Sequence, residues 1–338
     1  MRIVLVILSV SACLLCYLLI PVFEKFAKNH GYLTVPKLQK IDTRRLPYFG
    51  GVVMFCVFLL LVVGAYVTFR FEIDFYKLVV FILATSIIVL FGLYDDIREL
   101  KPVYKFAGQC LGAFIFVLFC MRTEIIYLSP MLNIAVSLLW ITIIINAFNL
   151  LDIMDGLAGG ISLINISALF LFGLFTNNHF VILIASILMG VLVGFLRYNL
   201  PPARIFMGDA GSQFLGFSQA ILAISLSFTK SGHEIGLVIP LVILALPLFD
   251  LLFVILMRAR QKKVIYLKSN DHFVFRMLKA GMSSSNILKV MLGASLFTAV
   301  CAMFIYRVSN NIGALIFFVL IGSLFLFGLK LSSLKMSE

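Results

Sequence analysis

The chain has 338 residues, 62% of them hydrophobic and only 12% charged, with a formal net charge of +12. Ordinary soluble domains hold about half apolar and about a quarter charged residues, so this composition excludes both a soluble globular enzyme and a disordered chain. Six cysteines (Cys13, Cys16, Cys56, Cys110, Cys120 and Cys301) all fall inside apolar runs, which reads as apolar filling rather than as a disulfide framework.

Apolar runs near 3–22, 48–69, 75–93, 102–121, 130–149, 157–176, 178–196, 212–229, 235–257, 286–306 and 311–331 each approach the ~20 residues that span a bilayer. They predict an all-α polytopic membrane protein with 10 to 11 transmembrane helices, in one domain over residues 1–338. Val10-Ser11-Ala12-Cys13 resembles a lipoprotein cleavage box, but the apolar run continues to Ile20, which favours an uncleaved first helix. Asn177-Asn178 marks a tight hairpin, and Pro240 and Pro247 predict one kinked span.

With the N-terminus outside, 21 of the 27 Lys and Arg residues fall in loops on one side. That asymmetry places those loops and the C-terminus in the cytoplasm. The same cations lie where anionic head groups and phosphates are met, so the positive charge needs no nucleic acid.

The 15 acidic residues are the informative minority, because a carboxylate near a membrane span is costly. In chain order, Gly92-Leu93-Tyr94-Asp95-Asp96-Ile97-Arg98 ends the third run with two adjacent carboxylates, each favouring a cation or a proton nearby. Lys105 opens the next run and suits a phosphate as a point charge, or serves as a cytoplasmic anchor. Asn146, Asn149, Asp152 and Asp155 then recur every three residues before Gly156. Steps of three turn a helix by about 300°, so the four are expected along one flank. Their oxygens suit Mg²⁺ or a base and a sugar, and helix termination accounts for only one or two of them. Residues 199–212 carry Asn199, and Asp209 lies between glycines at the start of an apolar run. There a carboxylate is expected to cap a helix whose N–H groups face an anion. The basic loop 258–289, which contains Asp271-His272-Phe273-Val274-Phe275-Arg276, reads either as a topological anchor with a structural His or as a diphosphate clamp.

These strings resemble the polyprenyl-phosphate N-acetylhexosamine-1-phosphate transferase superfamily, which includes undecaprenyl-phosphate GlcNAc-1-phosphate transferases and phospho-MurNAc-pentapeptide translocase. Asp95-Asp96 with Lys105 and Gln109 matches its D-D-x₈-K-x₃-Q segment. Residues 146–157 match N-A-x-N-x-x-D-x-x-D-G-L, with Ile153 where Gly is usual, and 199–212 match N-x-x-P-A-x-x-F-M-G-D-x-G-S. Pro47-Tyr48-Phe49-Gly50-Gly51 is similar to its P-x-x-G-G loop. The basic loop departs: Phe275 stands where a second His is expected, and the translocase's H-H-H-F string is absent, which disfavours a muramyl-pentapeptide donor.

The resemblance implies transfer of an N-acetylhexosamine-1-phosphate from a UDP-sugar to undecaprenyl phosphate, with release of UMP, at the cytoplasmic face of a bacterial inner membrane. It implies Mg²⁺, with Mn²⁺ as the alternative, on Asp209 and Asn149. Lys105, Asn146, Asn199, His272 and Arg276 would bind substrate. Asp95 would orient or deprotonate the acceptor with Asp96 in support, and Asp152 and Asp155 would face nucleotide or metal-bound water. A homodimer is compatible with it. The rival readings are a catalytically impaired relative and a transporter. A transporter places its carboxylates near the midplane and often carries repeats, and this sequence shows neither.

Overall fold

The computed structural model describes residues 2–33, 45–69, 73–123, 125, 128–226, 228, 234–262 and 271–333. Among these, helices account for the ordered backbone, and an isolated antiparallel bridge joins Leu33 to Pro47. The helices are α1 (Arg2–Asn29), α2 (Gly50–Phe69), α3 (Phe75–Arg98), α4 (Pro102–Phe119), α5 (Pro130–Leu151), α6 (Leu157–Thr176), α7 (His179–Asn199) and α8 (Gly208–Ile224). After a 3₁₀ turn (Glu234–Val238) follow α9 (Ile239–Ile243), α10 (Ala245–Arg260), α11 (Phe273–Lys279), α12 (Ser284–Ile305) and α13 (Asn310–Ser332).

Every expected apolar run has a helical counterpart. Nine of the described helices are long and apolar enough to cross a membrane, and up to ten if the bent pair Glu234–Ile243 and Ala245–Arg260 is one span. That pair bends by 72°, which agrees with the kink expected from Pro240 and Pro247. The remaining run forms α8, only 17 residues long and buried along nearly its whole length. The Asn177-Asn178 hairpin is present: Asn177 adopts a left-handed conformation after α6, and the Asn178 side chain accepts from the Val181 N–H to cap α7.

The chain divides into two compact units. One comprises 1–35 and 44–226, the other 36–43 and 227–338. In the first, α8 packs against α2, α3, α5 and α6. Shielded from lipid on these sides, it can carry Ser212, Gln213, Ser218 and Gln219, all buried, which a lipid-facing helix could not. Close approach is set by small residues. A Cβ on Gly51 of α2 would lie 2.2 Å from the Gly211 nitrogen of α8, so only glycine fits there. Stacked and edge-on rings of Phe58, Phe81, Phe116, Phe214 and Phe217 fill the space farther along the same helices. In the second unit, α12 packs on α9 and α13.

Candidate active site

The site is built where α3 ends, α4 and α8 begin, and α5 ends. α3 runs on past the apolar stretch to Arg98, so Asp95 and Asp96 are helical residues rather than loop residues. Adjacent helical positions diverge by about 100°, and the two aspartates take different partners. Asp95 Oδ1 accepts from the Leu100 N–H at 2.6 Å, closing the end of α3. Its Oδ2 lies 3.1 Å from Lys105 Nζ. Lys105, in the first turns of α4, also lies 3.0 Å from Asp209 Oδ2. One ammonium thus bridges carboxylates from two other helices.

Asp96 turns the other way. Its Oδ1 accepts from the Asp209 N–H at 2.8 Å and its Oδ2 from the Ala210 N–H at 3.1 Å. This corrects the expectation that Asp209 caps its own helix. The N-cap position is Met207, without a side-chain cap, and the anion at the N-terminus of α8 is the carboxylate of Asp96. The approach requires Gly208, whose φ is +70° and whose added Cβ would fall 2.5 Å from Asp96 Oδ2. Tyr48, which places its carbonyl oxygen against the same glycine, is buried. Its phenol is pushed above the ordinary value by burial first and then by Asp96 and Tyr32.

The P-x-x-G-G loop buttresses this segment. Phe206 N–H donates to the Pro47 oxygen at 2.8 Å, Gly50 N–H to the Phe206 oxygen at 3.0 Å and Gly51 N–H to the Met207 oxygen at 2.9 Å. Its role is to dock the backbone that delivers Asp209. Farther along, Arg204 pairs with buried Glu24 of α1 at 2.9 Å and stacks over the Tyr198 ring, tying the 199–207 connection to α1.

The polar row at 146–155 does not stay on one helix. α5 ends at Leu151, Asp152 is its C-cap, and Gly156 in a left-handed conformation starts α6. Asn146 and Asn149 alone share the helix. Asn149 Nδ2 donates to Asp209 Oδ1 at 2.6 Å and to Ser212 Oγ at 2.9 Å, so its carbonyl oxygen is the atom left for a ligand. Asp155 Oδ2 accepts from the Ala203 N–H at 2.9 Å. Asn199, 2% exposed, accepts from the Gly156 N–H and donates to the Ile205 oxygen, latching the two connections together. The structure therefore brings Asp95, Asp96, Lys105, Asn149 and Asp209 together directly, with Asn146 a turn from Asn149. Asp155 and Asn199 hold the loops behind them.

In the second unit, residues 263–270 of the basic loop lie outside the described residues. His272 Nδ1 lies 2.9 Å from Asp250 Oδ2 of α10, and both side chains are buried. The carboxylate is an acceptor, so Nδ1 carries the hydrogen and Nε2 points away from it. Buried Arg276 stacks 5.5 Å from the Phe253 ring and donates to the Leu331 oxygen at 3.3 Å, at the end of α13. Burial lowers its guanidinium from the ordinary value, against the opposing pull of Asp271. The reading of the sequence missed Asp250. The signal was available, since an acid in the apolar run Leu246-Pro247-Leu248-Phe249-Asp250 is costly without a partner.

A lysine held between carboxylates of two other helices is a fixed charge of the kind that can meet a phosphate. The comparisons agree. The glycosyl transferase family 4 profile matches residues 78–227, the stretch that carries Asp95, Asp96, Lys105, Asn149 and Asp209. A probable undecaprenyl-phosphate N-acetylglucosaminyl 1-phosphate transferase of Bacillus subtilis is 29% identical over 331 residues, 95% of this chain and 90% of the relative. A phospho-N-acetylmuramoyl-pentapeptide-transferase of Caldicellulosiruptor bescii is 37% identical over 39% of this chain and 37% of its own. A decaprenyl-phosphate N-acetylglucosaminephosphotransferase of Mycobacterium tuberculosis is 29% identical over 44% of this chain and 41% of its own. Together these matches support the polyprenyl-phosphate N-acetylhexosamine-1-phosphate transferase superfamily, and the names of the family and of the relatives indicate a phosphosugar transferase, in keeping with the many apolar helices of a multi-pass membrane protein.

Proposed function

We propose that the protein transfers an N-acetylhexosamine-1-phosphate from a UDP-sugar to undecaprenyl phosphate, giving undecaprenyl-diphospho-sugar and UMP, at the cytoplasmic face of a bacterial inner membrane. This is an initiating step of cell-envelope polysaccharide synthesis. The observation that carries the reading is Lys105 bridging Asp95 and Asp209, with Asn149 bonded to Asp209.

In this reaction an oxygen of the lipid phosphate attacks the phosphorus that bears the sugar. The bond from that phosphorus to the bridging oxygen breaks, and the electron pair leaves with UMP. Charge builds on the phosphoryl oxygens, so catalysis is positioning and electrostatic stabilisation. Lys105 supplies a fixed positive charge for those oxygens, and Asp95 and Asp209 hold its ammonium in place. Asp95 then orients the acceptor phosphate or takes its remaining proton. With a second pKa of about 6, that phosphate is mostly dianionic already, so orientation stands level with proton removal as the role of Asp95. Asp96 acts at one remove by holding the start of α8.

No group of three or more His, Cys, Asp or Glu side chains able to hold a metal occurs among the described residues. Mg²⁺ does not need one, because it is usually bound by one or two carboxylates together with substrate phosphates and water. The Asp209 carboxylate and the free Asn149 oxygen fit that habit. When bound there, the ion would neutralise the donor diphosphate.

The test is UMP release from UDP-GlcNAc, UDP-GalNAc and a UDP-linked 6-deoxy-N-acetylhexosamine, with and without undecaprenyl phosphate and with EDTA. Release that requires the lipid phosphate and Mg²⁺ is expected. Release from none of the donors, or release indifferent to the acceptor, overturns the reading.

A further inference from the structure

One turn farther from the same helix ends lies a second tier of side chains. On α4, Gln109 follows Lys105 by four residues; on α8, Gln213 follows Asp209 by four; on α5, Asn146 precedes Asn149 by three. These are spacings that stack side chains on one helical face. The first tier is charged and the second consists of neutral amides. Gln109 is 1% exposed and Gln213 fully buried.

The amides form a chain with a fixed direction. Asn146 Nδ2 donates to the Thr142 carbonyl oxygen, one turn back on its own helix, at 2.8 Å. A backbone carbonyl only accepts, so this contact decides which end of the Asn146 amide is nitrogen. The second Nδ2 hydrogen goes to Gln109 Oε1 at 2.7 Å. Gln109 Nε2 then donates to Gln213 Oε1 at 3.2 Å, and the chain ends at Gln213 Nε2, buried and without a hydrogen-bond partner. Turning the chain round would press the Asn146 oxygen against the Thr142 oxygen.

With both of its hydrogens engaged, Asn146 has only its carbonyl oxygen for a ligand. Such a group repels phosphate oxygens. It suits a cation, such as an ammonium or a divalent ion, or an N–H or O–H of the donor. We propose that Gln109 and Gln213 are positioning residues of the transfer reaction, locking Asn146 so that it meets its ligand by oxygen alone. The proposal rests on the transferase reading for its reaction.

A double-mutant cycle tests it. Gln109→Met breaks the chain at similar volume and is expected to lower kcat/KM for UMP release about tenfold, the scale of one misdirected polar contact. In an Asn146→Ala background the same substitution should cost less than about twofold. Gln109→Glu still accepts from Asn146, and the unpartnered Gln213 amide can turn to donate to it, so activity should stay within about threefold of wild type. Gln213→Met, at the far end of the chain, provides a milder break, expected at about threefold and likewise absent in Asn146→Ala. Calorimetric binding of UDP with Mg²⁺ to the same variants provides a readout independent of turnover. Equal losses from Gln109→Met in both backgrounds overturn the proposal, and so does a Gln109→Glu protein as impaired as Gln109→Met. A wild-type protein that binds UDP but turns over no donor sinks the transferase reading, and the binding cycle still decides this one.

Discussion

The two units treat their buried charges differently. In the first, Lys105 stands between Asp95 and Asp209, oxygens of three helices converge, and the Asn149 oxygen is left open. In the second, Asp250 is matched to His272, and Arg276 closes the end of α13. The first arrangement gathers like charges around one cation, a state costly for a fold and useful to a phosphoryl-transfer site. The second pairs its buried groups with partners that stabilise helix ends. The contrast sets a cluster arranged around one cation against buried groups matched one to one, and all of these residues except Asp250 lie in the polar strings that stood out in the sequence.

The contrast is broken most readily at Lys105. Lys105→Ala should lower UMP release by about 10²-fold, the scale of a lost transition-state contact. Exposed Lys101, at the N-cap of α4, should tolerate alanine without measurable loss. Equal, negligible effects would make Lys105 a membrane anchor.

Asp96→Asn comes next. An amide nitrogen would face an N–H donor of α8, so the two capping bonds cannot both survive. A stability loss of about 1–2 kcal/mol is expected, together with a fall in turnover, because the helix that presents Asp209 loses its anchor. Thermal unfolding in detergent read beside UMP release checks this. Unchanged stability with lost turnover would make Asp96 a participant in the chemistry.

Arg276→Ala sharpens the other half of the comparison. Losing the guanidinium frees the end of α13, at a cost of about 1–3 kcal/mol, so the unfolding midpoint should fall. A variant with the wild-type midpoint and no turnover would restore Arg276 to the diphosphate contact that the family resemblance implies.

The smallest effect is expected at Phe275, whose ring lies 6.2 Å from that of His272. A phenyl ring donates no hydrogen bond and suits a sugar with a methyl in place of a hydroxymethyl. UDP-linked 6-deoxy-N-acetylhexosamines should therefore be used at least as well as UDP-GlcNAc. Phe275→His should shift the ratio of kcat/KM toward UDP-GlcNAc by less than about tenfold, as one polar contact allows. Competing both donors in one reaction measures the ratio. A tenfold wild-type preference for UDP-GlcNAc would reduce Phe275 to packing.

The spans were legible because lipid demands long apolar runs, and the carboxylates of the candidate site because acids beside such runs are rare. Partner choice was not legible. Nothing in the order Asp95-Asp96 says that one faces Lys105 and the other the N-terminus of α8, since that depends on how α3 and α8 cross. The three-residue spacing of Asn146, Asn149, Asp152 and Asp155 suggested one helical flank, but α5 ends at Leu151, so Asp152 becomes its C-cap and Asp155 lies in the turn before α6. The bond from Gln109 to Gln213 joins residues 104 positions apart, and each looks alone like an ordinary polar residue near a helix end. Asp250 was visible by its cost, but attention to loop acids passed over an acid inside a span.

The central claim is that Asp209, held by Lys105, Asn149 and the Asp96-capped start of α8, is the carboxylate on which Mg²⁺-dependent transfer depends. Its most direct test is UMP formation by wild type and Asp209→Asn, reconstituted with undecaprenyl phosphate at saturating UDP-sugar and Mg²⁺. The substitution removes one charge at constant shape. The account predicts a correctly inserted, folded Asp209→Asn protein whose turnover falls by about 10²-fold or more, equivalent to a lost contact of ~3 kcal/mol. Turnover near wild type in that protein would contradict it.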